Sequence, residues 1–97
     1  MVIDPDELEV SHNVDSQRFH IDVGRWTAVL DYEMDGNVMV FTHTGVPRPL
    51  EAQGVGSKLA KTALEYARGK AHRVVPACEF MRVYIRRHPE YKPLLAE

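Results

Sequence analysis

An Asp-Gly pair at residues 35–36 separates two runs of alternating apolar and polar residues, and no other feature of the chain constrains the fold as tightly. Alternation at period two sends successive side chains to opposite faces of a strand, and Asp-Gly between two such runs is a strong local hairpin signal. Upstream of the pair, Trp26, Ala28, Leu30, Tyr32 and Met34 share one face, while Asp31 and Glu33 share the other. The returning strand runs from Asn37 to about Val46. With Asp35-Gly36 as a two-residue loop, Met34 opposes Asn37, Tyr32 opposes Met39, Leu30 opposes Phe41 and Ala28 opposes His43. That register places His43 on the face of Met39 and Phe41.

A further alternating strand precedes the hairpin. Over Arg18–Val23, Phe19, Ile21 and Val23 face one way and His20 and Asp22 the other. Asn13 to Ser16 supplies a turn that pairs this strand with a short one near Glu9–His12. After Val46 the period changes. Val55, Leu59, Ala63 and Ala67 recur every four residues, and Ala60, Leu64 and Ala71 fill the same stripe, which predicts a helix over 56–70 ending near Gly69. His72 to Val75 reads as one buried strand closed by Pro76. A last helix follows, with Ala77, Phe80, Met81, Tyr84 and Ile85 on one face. Arg86, Arg87 and His88 lie at its C-terminal end, where the helix dipole favours cations, and Pro89 stops it. The order is ββββαβα. It predicts one α+β domain over residues 1–97, with a mostly antiparallel sheet of about five strands and two helices.

Composition narrows the function classes. With 97 residues and 44% hydrophobic content, the chain makes one packed domain rather than a disordered segment. No run approaches the roughly 18 apolar residues a membrane span needs. A single Cys78 forms no internal disulfide, which fits a reducing, cytoplasmic compartment. The net charge of -2 hides a division: residues 1–36 carry nine acids against Arg18 and Arg25, a net -7, and residues 37–97 carry a net +5. That division suits either an anionic ligand on the C-terminal part or two oppositely charged halves packed against each other. Nucleic acid is disfavoured as a partner, because Arg82, Arg86 and Arg87 are not interleaved with stacking aromatics and the pI is about 6.2. His12, His20, His72 and His88 show no metal-ligand spacing with Cys78 or a carboxylate, so no metal is expected.

The segment Val46-Pro47-Arg48-Pro49-Leu50-Glu51-Ala52-Gln53-Gly54-Val55-Gly56-Ser57-Lys58 carries the chemistry. It leads from a strand end, through a proline-stiffened loop, into glycines that open a helix. Gly54 and Gly56 let the backbone approach a ligand, and the first helical amides point outward without partners. Such an end binds phosphate, with Lys58 and Lys61 adding charge. It is neither a Walker A loop, since the Gly-Lys-Ser/Thr order is absent, nor the dinucleotide fingerprint, since position 59 is Leu.

Four ordered motifs carry a resemblance: His43-Thr44-Gly45-Val46-Pro47, Gln53-Gly54-Val55-Gly56-Ser57, Val75-Pro76-Ala77-Cys78 with Phe80, and Tyr84-Ile85-Arg86-Arg87-His88-Pro89-Glu90-Tyr91. Together they resemble the GNAT superfamily of acetyltransferases, and most closely its small GNAT-like domains, over roughly residues 9–95. The chain departs from the superfamily's loop pattern at Glu51 and Ala52, and it has no room for the early helices of larger members. The resemblance implies acetyl-CoA as co-substrate, held by Val46, Gln53, Gly54, Val55, Gly56, Ser57 and Lys58. The pantetheine arm would lie between the returning strand and the strand at Arg73–Val75. The implied partner is an amine acceptor, either a small molecule or a protein lysine or N-terminus. Three residues are candidates for catalysis. Cys78, at the start of the last helix, suits a thiol of lowered pKa acting as acyl acceptor or proton donor. His43 suits a general base near neutral pH. Tyr84, by resemblance, occupies the place of a tyrosine acid near the sulfur. The implied activity is N-acetyl transfer; the alternative is a CoA- or acyl-CoA-binding module without turnover.

Overall fold

The hairpin forms the centre of the structure, a computed structural model that describes residues 3–96. In chain order the elements are β1 (Ser11–Asn13), β2 (Arg18–Val23), β3 (Trp26–Asp35), β4 (Val38–Gly45), α1 (Val55–Gly69), β5 (Arg73–Pro76) and α2 (Glu79–Arg87). Short 3-10 turns stand at Pro5–Glu7, Arg48–Leu50 and Pro89–Leu94. The sheet order is β1-β2-β3-β4-β5, antiparallel up to β4 and parallel between β4 and β5. A parallel step needs a crossover, which α1 supplies. The ββββαβα order and the mixed five-stranded sheet agree with the sequence reading.

The hairpin register differs from the expected one in two ways. The two-residue loop is Gly36-Asn37, so Asp35 pairs with Val38, Met34 with Met39 and Tyr32 with Phe41. Gly36 takes φ +60° at the first loop position, a conformation that costs glycine little. Asn37 stays in the turn because β5 and its approach hold it: Nδ2 donates to the Ala71 carbonyl at 2.8 Å, and Oδ1 lies 2.6 Å from His72 Nδ1. The Asn37 carbonyl also accepts the Arg73 N–H at 3.0 Å. This shift preserves the faces. The second change does not. A bulge opposite Asp31 and Tyr32 leaves Thr42 without a partner, and pairing resumes with Asp31 opposite His43, Leu30 opposite Thr44 and Val29 opposite Gly45. The extra residue inverts the alternation, so His43 lies with Asp31 on the outer face rather than with Phe41.

Both helices pack on the inner face. Phe19 and Ile21 of β2, Ala28, Leu30 and Tyr32 of β3, and Met39 and Phe41 of β4 are buried there. Against them α1 sets Leu59, Ala60, Ala63, Leu64 and Ala67, and α2 sets Met81, Tyr84 and Ile85. Leu50, fully buried, pins the 3-10 turn before α1 to this core. Two members of the expected α2 face fall outside it. Ala77 precedes the helix, and Phe80 is 38% exposed, because the inward stripe is Met81, Tyr84 and Ile85 at i, i+3 and i+4. The final 3-10 turn, which the periodicity does not signal, buries Tyr91; its hydroxyl donates to Glu65 at 2.7 Å.

Candidate active site

The site begins where β4 and β5 part. They pair from Val38 and Arg73 to Phe41 and Pro76, and no further. Pro76 has no N–H to extend the ladder, and the Phe41 carbonyl instead accepts the Cys78 N–H at 3.1 Å. Beyond this point β4 runs on to Gly45, while the other chain turns into α2. Thr42 to Gly45 therefore have no strand on the β5 side, and the bulge at Thr42 sits at the fork.

Past Gly45 the chain reaches the glycine turn. Ala52 (φ +61°) and Gly54 (φ +81°) both adopt left-handed backbone, which folds the loop back under the start of α1. Gly54 caps the helix with its carbonyl alone, accepting the Lys58 N–H at 2.9 Å. The amides of Val55, Gly56 and Ser57 have no carbonyl a turn earlier to bond, so they form a positive helix end. Gln53 braces the loop: its Nε2 donates to the Pro49 carbonyl at 2.9 Å. A groove of about 580 Å³ joins this end to the fork. Thr44, Gly45 and Val46 line one part, Gly54, Val55, Gly56 and Ser57 the other, with Leu50, Glu51, Ala52 and Phe80 completing the walls.

Of the residues assigned to cofactor binding from sequence, Val46, Gly54, Val55, Gly56 and Ser57 line the groove. Gln53 supports it, and Lys58 lies one residue inside α1, half-buried. The glycines have a second role. A β-carbon on Gly56 would come 2.8 Å from Phe80 Cζ, and one on Gly54 would come 2.8 Å from Pro5 Cγ. The bare backbone at Gly56 thus lets α2 bring its exposed aromatic ring against the groove.

Cys78 is the N-cap of α2, half-buried, with Sγ 3.4 Å from Thr44 Oγ1 at the fork end of the groove. His43 is exposed on the outer face and lies against Gly45, where an added β-carbon would meet its Nε2 at 3.1 Å. Thr44 follows Leu30 to the inner face and His43 follows Asp31 to the outer. Cys78 and His43 accordingly flank the end of β4 from opposite sides. Tyr84 is buried on the inner side of α2 and does not line the groove. Its ring stacks on His88 at 4.0 Å; burial raises its pKa, and the Glu90 and Glu65 carboxylates raise it further. Thr44 and Phe80 are among the groove residues to which sequence reasoning gave no role in binding or catalysis. For Phe80 the signal lay in the helix geometry, since it falls off the Met81–Tyr84–Ile85 stripe. Among the described residues no three His, Cys, Asp or Glu side chains converge as metal ligands, and no helix is long and apolar enough to cross a membrane.

A family model described as GCN5-related N-acetyl-transferase matches residues 18–94. Among solved structures, the NMR solution structure of a GCN5-like putative N-acetyltransferase from Staphylococcus aureus is similar. It is 28% identical, the match covers 92% of this chain and 88% of that one, and the TM-score is 0.74.

Proposed function

The chain belongs to the GCN5-related N-acetyltransferase family, and from that premise we propose that it moves an acetyl group from acetyl-CoA to a primary amine. One observation carries the reading: a single groove connects an open helix N-terminus to the fork of β4 and β5, where Cys78 Sγ lies 3.4 Å from the groove residue Thr44. The amides of Val55, Gly56 and Ser57 hold the diphosphate, as helix N-termini hold anions generally. The edge of β4 left free beyond the end of β5 offers its peptide groups to the pantetheine arm. The thioester then reaches Thr44 and Cys78.

The amine lone pair adds to the thioester carbonyl carbon, and the Val46 amide donates to the developing oxyanion. The C–S bond breaks, and the departing thiolate takes a proton. We assign that proton to the Cys78 thiol; in the alternative route the Cys78 thiolate first displaces CoA as a thiolate, which takes its proton from solvent, and the amine then displaces the Cys78 sulfur from the acetyl group. His43, on the outer face, takes the proton that the amine sheds. The acceptor therefore approaches from the outer side of the sheet and the donor from the inner. The second reading is a CoA-binding module without turnover; Glu51 in the groove wall, an acid beside the diphosphate, weakens binding equally in both.

Isothermal titration with acetyl-CoA tests the proposal. We expect saturable binding by the native protein and its loss in Gly56→Val, whose β-carbon collides with Phe80. Absence of binding by the native protein would remove the reading. Thiol release with a panel of amines separates transfer from simple binding, and acetyl-CoA bound without any thiol release would leave the binding module.

A further inference from the structure

At the fork the groove ends on a hydroxyl rather than on the sulfur. Of the residues that line it, only Thr44, Glu51 and Ser57 have polar side chains. Ser57 belongs to the first turn of α1 and Glu51 to the loop before it, so both stand toward the diphosphate end. Thr44 stands at the fork, and Cys78 is not among the lining residues. We infer that Thr44 is a catalytic residue, a relay that carries the Cys78 proton to the departing CoA thiolate. The inference rests on the acetyl-transfer reading and gives a part to a residue which that reading leaves without one.

The bulge makes the placement. Without the extra residue at Thr42, Thr44 would face outward; with it, Thr44 pairs with Leu30 and turns to the inner face. There its Oγ1 lies 3.4 Å from Cys78 Sγ, and neither atom has another hydrogen-bond partner among the described residues. The Thr42 hydroxyl, by contrast, is taken up by the Asp31 carbonyl at 3.4 Å. A hydroxyl and a thiol each donate one proton and also accept one. Thr44 therefore accepts the S–H of Cys78 on one side and turns its own O–H to the groove on the other. The backbone that carries the sulfur is fixed, since the Cys78 N–H donates to the Phe41 carbonyl at 3.1 Å. When the C–S bond of the tetrahedral intermediate breaks, its electron pair goes to the CoA sulfur. That sulfur takes the proton of Thr44 Oγ1 as Thr44 takes the proton of Cys78 Sγ. The hydroxyl is restored and Cys78 is left as a thiolate. The proton that His43 takes from the amine passes to solvent, and Cys78 recovers one from solvent, which returns the protein to its starting state.

The test measures thiol release from acetyl-CoA with a panel of primary amines, together with acetyl-CoA affinity by titration calorimetry. Thr44→Val keeps the shape of the side chain and removes the hydroxyl. Its kcat should fall by about 100-fold or more, the scale of a positioned proton donor. KM and Kd for acetyl-CoA should stay within about twofold of the native values, since the relay acts only in the transition state. Thr44→Ser should return turnover to within about threefold of native, because the hydroxyl is restored. The double variant Thr44→Val, Cys78→Ala should be no slower than either single one, because members of one relay act as a unit. Native turnover in Thr44→Val overturns the relay. So do equal losses in Thr44→Val and Thr44→Ser, or a loss matched by weaker acetyl-CoA binding, which assign Thr44 to packing or binding. Losses that multiply in the double variant overturn it too, as does an acetyl group found on Cys78, since an acylated sulfur has no proton to pass. In each of these cases acetyl transfer by the native protein stands. Native protein that releases no thiol with any amine removes the transfer reading and the relay together.

Discussion

Cys78 owes its position to groups other than its own thiol. Its amide bonds to the Phe41 carbonyl, Pro76 two residues earlier ends the strand, and Thr44 meets the sulfur from across the fork. These are backbone and neighbour effects, so removing the sulfur leaves the frame in place. Cys78→Ala should bind acetyl-CoA as the native protein does, while thiol release with an active amine falls by about 100-fold or more, the scale on which a positioned proton donor or nucleophile acts. Cys78→Ser distinguishes the roles, since a hydroxyl still donates a proton but is a far weaker acyl acceptor at neutral pH. Mass spectrometry of the native protein with acetyl-CoA alone checks the same point, because an acyl-enzyme adds one acetyl group to the chain. Unchanged turnover in Cys78→Ala would exclude the sulfur from the reaction.

At the scale of elements, what could be read from sequence was what periodicity encodes. The 2-residue and 3.6-residue patterns placed β2, β3, β4, α1 and β5 within a residue or two of their observed bounds, since each buries one face against the same core. The bulge at Thr42 has no such signature. Thr42 and His43 are both polar and exposed, so nothing in their hydropathy marks where the alternation inverts. The face of His43 was lost for that reason. The glycine turn was legible through Gly54 and Gly56; Thr44 against Cys78 was not, because the two lie 34 residues apart and meet only once β4 and β5 fork. The loop before α1 is likewise held by a distant contact, the burial of Leu50 in the core. Leu50→Ala should cost about 2–5 kcal/mol by opening a cavity under the turn, which lowers Tm by about ten degrees or more in a domain of this size. Thermal unfolding followed by circular dichroism measures it. A shift of only a degree or two would mean that the turn holds its shape without the anchor.

For the molecule as a whole, the division of charge corresponds to a division of work. The basic C-terminal part carries the groove, and the acidic N-terminal part supplies β1 to β3 and the aromatic packing at the far edge of the sheet. There His12 of β1 stacks on Phe19 at 3.9 Å, meets the Tyr66 ring edge-on at 4.5 Å and lies 2.6 Å from the Tyr32 hydroxyl through Nε2. Burial lowers the His12 pKa below its ordinary 6.5, and burial raises that of Tyr32, with Tyr66 adding to the effect. At neutral pH a neutral imidazole and a protonated Tyr32 hydroxyl therefore share this hydrogen bond. The unfolded chain binds a proton at this histidine more readily than the folded one, so between the lowered value and 6.5 acid favours unfolding. The contribution to stability is complete above pH 6.5 and declines as pH falls toward the folded pKa. His12→Gln keeps a hydrogen-bond partner for Tyr32 but neither stacks as well nor titrates. It should be less stable than the native protein at about pH 7.5, by about 1 kcal/mol for the lost ring contacts. Its Tm should then fall less steeply between about pH 7.5 and 5.5, the window in which histidine titrates. The other four histidines are common to both proteins, so their contribution cancels in the comparison. Parallel Tm–pH curves would show that the edge of the sheet does not sense the His12 proton, and the acid sensitivity of the domain would then lie with other groups.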